Sequence, residues 1–130
     1  MSPFDFPVEV EDSAVRRRAM QMLRGKGVRL PTFAELAEPE RAPQDIRARL
    51  PQVAPDDAHP HNLYRVNWYN DAQRTGQVSV PVHVELPEAL TGVKARIVVA
   101  VGALFPMIRA HKVLAAYACL APDRKSTRLN

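Results

Sequence analysis

Residues 95–121 constrain this chain more than any other stretch, because a strand pattern runs through a short loop into a helix pattern. Ala95-Arg96-Ile97-Val98-Val99-Ala100-Val101 is a β-branched apolar run, the kind read as a strand covered on both faces. Gly102 and Pro106 then break the pattern. From Ala110 onward the residues favour helix, with Val113, Leu114, Tyr117, Ala118 and Ala121 at the three- and four-residue spacing of one apolar face. Lys112 falls in the first turn of that helix, just past the end of the strand. Open α/β folds collect their ligand chemistry at this point.

A lysine in that position becomes a nucleophile when its amine is neutral. Burial disfavours the ammonium form, and the positive end of the helix dipole acts in the same direction. A neutral amine condenses with an aldehyde, which is how lysines hold pyridoxal phosphate. The plain alternative is a solvated lysine on a helix. The order strand, loop, Ala-His-Lys, small-residue helix argues for the chemical reading.

Arg109-Ala110-His111-Lys112, followed by Val113-Leu114-Ala115-Ala116-Tyr117, resembles the lysine-bearing region of the tryptophan synthase beta-like, fold-type II pyridoxal phosphate enzymes, which include cysteine synthase. In the tryptophan synthase beta branch a Gly-Ala-His-Lys motif opens a helix and its lysine carries the cofactor. The resemblance implies that Lys112 is the Schiff-base lysine and that His111 lies beside it near the cofactor phosphate. Pro81 to Pro87 and the Glu88-Ala89-Leu90-Thr91 turn are similar to the lead-in helix before the family's lysine strand, so the likeness covers residues 81 to 122. Two positions depart from it. Arg109 stands where the family has glycine, and Val101-Gly102-Ala103-Leu104 replaces an acidic stretch.

The expected fold class is therefore α/β: the N-terminal portion of a fold-type II enzyme, with a helical lead-in followed by strand, loop and helix, and an incomplete domain. Residues 1–61 read as a proline-rich helical lead-in, 62–122 as the start of the cofactor-binding α/β domain, and 123–130 as a non-native tail. The implied cofactor is pyridoxal 5'-phosphate and the implied substrate an amino acid. The implied reaction is a lyase or synthase chemistry: β-elimination, β-replacement or dehydration, with Lys112 as general base for the α proton. The implied full-length parent is a homodimer with no nucleic-acid or membrane partner. The family's glycine-rich phosphate loop and Ser-x-Gly-Asn substrate loop do not occur in residues 1–122, so the fragment by itself is expected to be inactive. Two other classes stay open: a non-catalytic enzyme-like subunit, and a small basic module that binds nucleic acid.

Asp123-Arg124-Lys125-Ser126-Thr127-Arg128-Leu129-Asn130 looks like a translated sequencing adaptor, which leads to the expectation that native sequence ends near Pro122. The formal charge of +4 drops to +2 without that tail, since Asp123 (−1) and Arg124, Lys125 and Arg128 (+3) leave together. The basic balance then stops arguing for nucleic acid. The single cysteine, Cys119, lies in the apolar helix and reads as a reduced core residue. That excludes a disulfide framework and makes a reducing cytoplasm the default. The N-terminus has no basic segment of a secretory signal, and the longest apolar run is far short of the ~20 residues of a membrane-spanning helix.

Earlier elements are short and punctuated by proline. Ser13 to Arg24 reads as a helix capped by Asp12 or Ser13, with Val15, Ala19, Met22 and Leu23 on one face, ended by Gly25 and Gly27. Thr32-Phe33-Ala34-Glu35 is a capping box for a helix through Ala37. Pro43 opens another over Gln44 to Leu50, with Ile46 and Leu50 inward. Pro51 to Pro60 reads as a loop, Leu63 to Trp68 as an extended piece and Asn70 to Gly76 as a turn. The prolines suggest a lead-in that wraps a domain rather than one with its own core. His59, His61, Asp56 and Asp57 are candidate metal ligands, but a polar loop is the better reading because no second cluster completes a site. Arg16-Arg17-Arg18 reads as a solvated helix face, and Tyr64, Trp68 and Tyr69 as packing rather than a base-stacking platform.

Overall fold

A computed structural model describes residues 12–120, so the expected adaptor tail lies outside the described residues. The described residues divide into two compact units, one of residues 12–29 with 114–120 and one of residues 30–113.

In the first unit, helix α1 (Ser13–Gly25) starts where Asp12 accepts hydrogen bonds from the amides of Ala14 at 2.8 Å and Val15 at 3.0 Å. It stops where Gly27 turns left-handed, φ 61°, with the Lys26 amide on Met22 O and the Val28 amide on Leu23 O. Ala19 and Leu23 of the expected apolar face are half-buried, whereas Val15 and Met22 are exposed. This unit also contains the described residues from Leu114 of helix α5 (Lys112–Leu120). Tyr117 there is buried, but Cys119 is exposed, which corrects the expectation of a core cysteine. The alternation is physical: two residues advance a helix by about 200°, so Tyr117 and Cys119 point to opposite sides.

The second unit opens with helix α2 (Phe33–Ala37). Its capping box is formed as expected: Thr32 Oγ1 accepts the Glu35 amide, and Glu35 Oε2 accepts the Thr32 amide at 2.7 Å. Glu35 is buried and Thr32 is exposed, so the box lies at the surface of the unit. Thr32→Ala should therefore cost about 1 kcal/mol, read as a lower denaturant midpoint; an unchanged midpoint would mean that the cap contributes nothing. A turn at Pro39–Arg41 leads into helix α3 (Gln44–Arg49), and Ile46 and Leu50 point inward as the spacing requires. With Ala42 and Tyr64 they make the core of this unit. Ala42, Ile46 and Leu50 of the proline-rich front thus pack into a core that Tyr64 completes, rather than only wrapping another.

Leu63 to Trp68 is not extended. Pro60–Arg65 is a 3₁₀ helix, opened by His59 Nδ1 accepting the His61 amide at 3.1 Å. Side chains explain the departure. Asn62 donates to the carbonyls of Ala54 and Asp57 at 2.8 Å each, Asn67 donates to Tyr64 O at 2.8 Å, and Asn70 donates to Arg65 O and Asn67 O. Buried carbonyls that a sheet would have paired are met by asparagine amides instead. The expected turn at 70–76 is present. Asn70 bridges Gln77, and Asp71 receives the amides of Thr75 at 3.0 Å and Gly76 at 2.9 Å.

Strand β1 (His83–Leu86), the single-turn helix α4 (Glu88–Thr91) and strand β2 (Ile97–Ala100) follow, which corrects the lead-in helix expected before β2: only its last turn is helical. Gly92, at φ 68°, ends α4 and reverses the chain. The strands pair antiparallel, His83 opposite Ala100 and Leu86 opposite Ile97, and the Val101 amide extends the pairing to Val82 O at 3.0 Å. Arg96 pairs with Glu85 across the ribbon. The unit is thus a small mixed α/β structure. The expected β2, buried on both faces of an α/β sheet, is corrected: among the described residues β1 is its sole neighbour, and Val98 and Val99 are 48% and 47% exposed.

Candidate functional site around His111 and Lys112

Beyond β2 the backbone is tightly folded. A 3₁₀ turn at Gly102–Leu104 delivers Phe105 and Pro106 into the interior, and both are buried. The chain then passes through two left-handed residues, Met107 at φ 64° and Arg109 at φ 52°. This region of φ is sparsely populated by residues other than glycine, at a cost of roughly 1–2 kcal/mol each. Neither is glycine, so outside contacts must hold them. The Met107 amide donates to Pro55 O at 2.9 Å, and Arg109 donates from Nε and Nη2 to Asp56 Oδ2 at 3.2 and 2.9 Å.

Asp56 also receives Arg74, through Nη1 on Oδ1 and through Nη2 on Oδ2 at 2.9 Å. Hydrogen bonds from Arg74 and then Arg109 hold the Asp56 carboxyl well below the usual carboxylate range. A depressed value means that the interaction is present above the ordinary carboxylate range and is lost only as the pH falls through that lowered value. Asp56 is therefore engaged with arginines, not poised for a metal. Among the described residues no group of three or more histidine, cysteine, aspartate or glutamate side chains could hold a metal ion. His59 and His61 pack edge to face, centroids 4.7 Å apart, and burial pushes His61 below its ordinary value.

His111 lies flat against Trp68, centroids 5.8 Å apart and planes 22° from parallel; Trp68 in turn stands edge-on to Phe105 at 4.9 Å. Trp68 is thus packing, as expected, but its partner is the histidine beside Lys112. Gly102 admits this arrangement: a Cβ there would lie 2.8 Å from His111 Nδ1. Lys112 is the first residue of α5, as the pattern requires. It is exposed, so the burial half of the argument for a neutral amine does not hold in this chain. A shallow concavity lined by Arg47, Leu50, Pro51, Arg65 and the Thr75–Gln77 turn is bordered by neither His111 nor Lys112.

The structure stacks His111 on Trp68 and ties Arg109, three residues before Lys112, to Asp56 and through it to Arg74, while Arg65 belongs to a separate buried network. Arg65 is 1% exposed, donating to Leu50 O at 2.6 Å, Val53 O at 2.9 Å and Asn62 Oδ1. Burial pushes its pKa below the ordinary arginine value. Among the described residues no helix is long and apolar enough to cross a membrane. Compared with known families, curated proteins and solved structures, the chain has no significant match.

Proposed function

We propose that this chain contributes the lysine-bearing segment of a pyridoxal 5'-phosphate-dependent lyase or synthase acting on an amino acid. The observation that carries the reading is the backbone before Ala110-His111-Lys112. Arg109 adopts the left-handed conformation that glycine takes freely, at the position where the resembling motif has glycine. A second observation supports it: Lys112 opens α5 directly after the strand and loop.

The described residues fit the aldehyde end of such a cofactor, since Lys112 offers an accessible primary amine. For the phosphate end they offer His111 and no glycine-rich loop, and the space over the lone Gly102 is filled by the His111 ring. The cofactor, when bound, supplies an electron sink for the substrate's α-carbon. Lys112 Nζ would hold the cofactor and then accept the α proton, and His111, oriented by Trp68, would stand beside it. The basic-module reading loses support, since Arg74 and Arg109 face Asp56 and Arg65 is buried.

The test uses the protein as expressed from its own gene. Borohydride trapping of pyridoxal 5'-phosphate followed by peptide mapping should label Lys112, and Lys112→Ala should lower turnover by about 10²–10⁴-fold. Label on a different lysine would remove the reading.

A further inference from the structure

We infer that Asp56 is a positioning residue for the His111–Lys112 segment, clamping the left-handed backbone that leads into α5. The inference rests on the proposed role of Lys112 only for what the clamped segment presents. Two consecutive residues, Pro55 and Asp56, grip two residues that are themselves left-handed: Pro55 O takes the Met107 amide at 2.9 Å and Asp56 takes the Arg109 guanidinium. Arg74 bridges both oxygens of the same carboxylate and shares Oδ2 with Arg109, and Arg74 is left-handed too, φ 61°, in the turn closed by Asp71. The carboxylate is thereby held by two guanidinium groups, and the Arg109 side chain is tied 53 residues away in sequence.

A glycine at position 109 would reach this backbone without help. An arginine there has a Cβ that disfavours it, but also a charged fork that can be held from outside. The clamp replaces local conformational freedom by a long-range tie. Its downstream effect is on the His111 ring, which leaves the same loop and stacks on Trp68. Trp68 is the chain's single tryptophan, so its emission reports that contact without interference.

The experiment compares the 130-residue chain with Asp56→Asn, Asp56→Glu, Arg109→Gly and the Asp56→Asn/Arg109→Gly double variant, by amide hydrogen exchange at Met107 and by Trp68 emission. Asp56→Asn should speed Met107 exchange by about 10-fold, with a changed Trp68 emission, and Asp56→Glu should restore most of both. In the Arg109→Gly background the same Asp56→Asn change should add less than about 2-fold, because glycine no longer needs the clamp. Equal acceleration in both backgrounds would overturn the inference, leaving Asp56 as a general support through Arg74. No acceleration by Asp56→Asn would overturn it as well. No cofactor is added, so failure here leaves the Lys112 labelling result standing, and failure of that labelling leaves the clamp standing.

Discussion

Arg65→Ala is expected to destabilise the 30–113 unit by about 3–5 kcal/mol, the range for removing one partner from a buried polar network. Arg65 is 1% exposed and serves the carbonyls of Leu50 and Val53, the Asn62 side chain and, at 3.4 Å, Thr75 O. Alanine would leave Val53 O and Asn62 Oδ1 without the guanidinium that serves them, while Leu50 O would keep only the Val53 amide. Arg65→Lys should recover little, because one ammonium cannot span acceptors that a planar fork reaches in two directions. The denaturant midpoint measures both variants. A loss below about 1 kcal/mol for alanine, the worth of a single ordinary hydrogen bond, would mean that water satisfies these carbonyls.

Phe105→Ala is expected to cost about 3–5 kcal/mol, the usual range for deleting a fully buried aromatic ring. Phe105 is 1% exposed and meets the Trp68 ring edge-on at 4.9 Å. Its loss acts twice: it opens a cavity, and it removes the wall against which Trp68 holds its angle to His111. Near-ultraviolet circular dichroism of the single tryptophan should fall along with the midpoint. A lowered midpoint with an unchanged tryptophan signal would show that Trp68 is fixed by other neighbours.

The elements legible in the sequence are those set by neighbours a few residues apart. Asp12 caps α1, Thr32 and Glu35 box α2, Ile46 and Leu50 face inward from α3, and Lys112 opens α5. Each follows from helical spacing and cap chemistry. The 60–68 segment was not legible, because Leu63, Tyr64 and Val66 carry strand-like side chains. What decides its conformation is asparagine amides that reach carbonyls elsewhere. β2 was misread for a related reason: a run of β-branched residues reports apolarity, not the number of neighbours that cover it.

The site divides in the same way. His111 and Lys112 are adjacent, so their pairing with a strand–loop–helix pattern could be read directly. The tie from Asp56 to Arg109 and the stack of Trp68 on His111 join positions 53 and 43 apart, and no periodicity encodes such contacts. Positive φ at Arg109 leaves a trace only as the mismatch between an arginine and the glycine of the resembling motif.

The β1–β2 ribbon sets a colloidal property distinct from conformational stability. Each of its strands has one unpaired edge among the described residues, and Val84, Val98 and Val99 are about half exposed on its surface. Such an edge offers amides and carbonyls to another molecule at a rate that grows with concentration. Its two moderating features are length and charge: each strand has four residues, and the Glu85–Arg96 pair keeps ions at the surface. Conformational stability rests on the buried Ile46–Leu50–Tyr64 core, whereas association acts on the ribbon. A preparation can therefore cloud while every molecule in it is still folded.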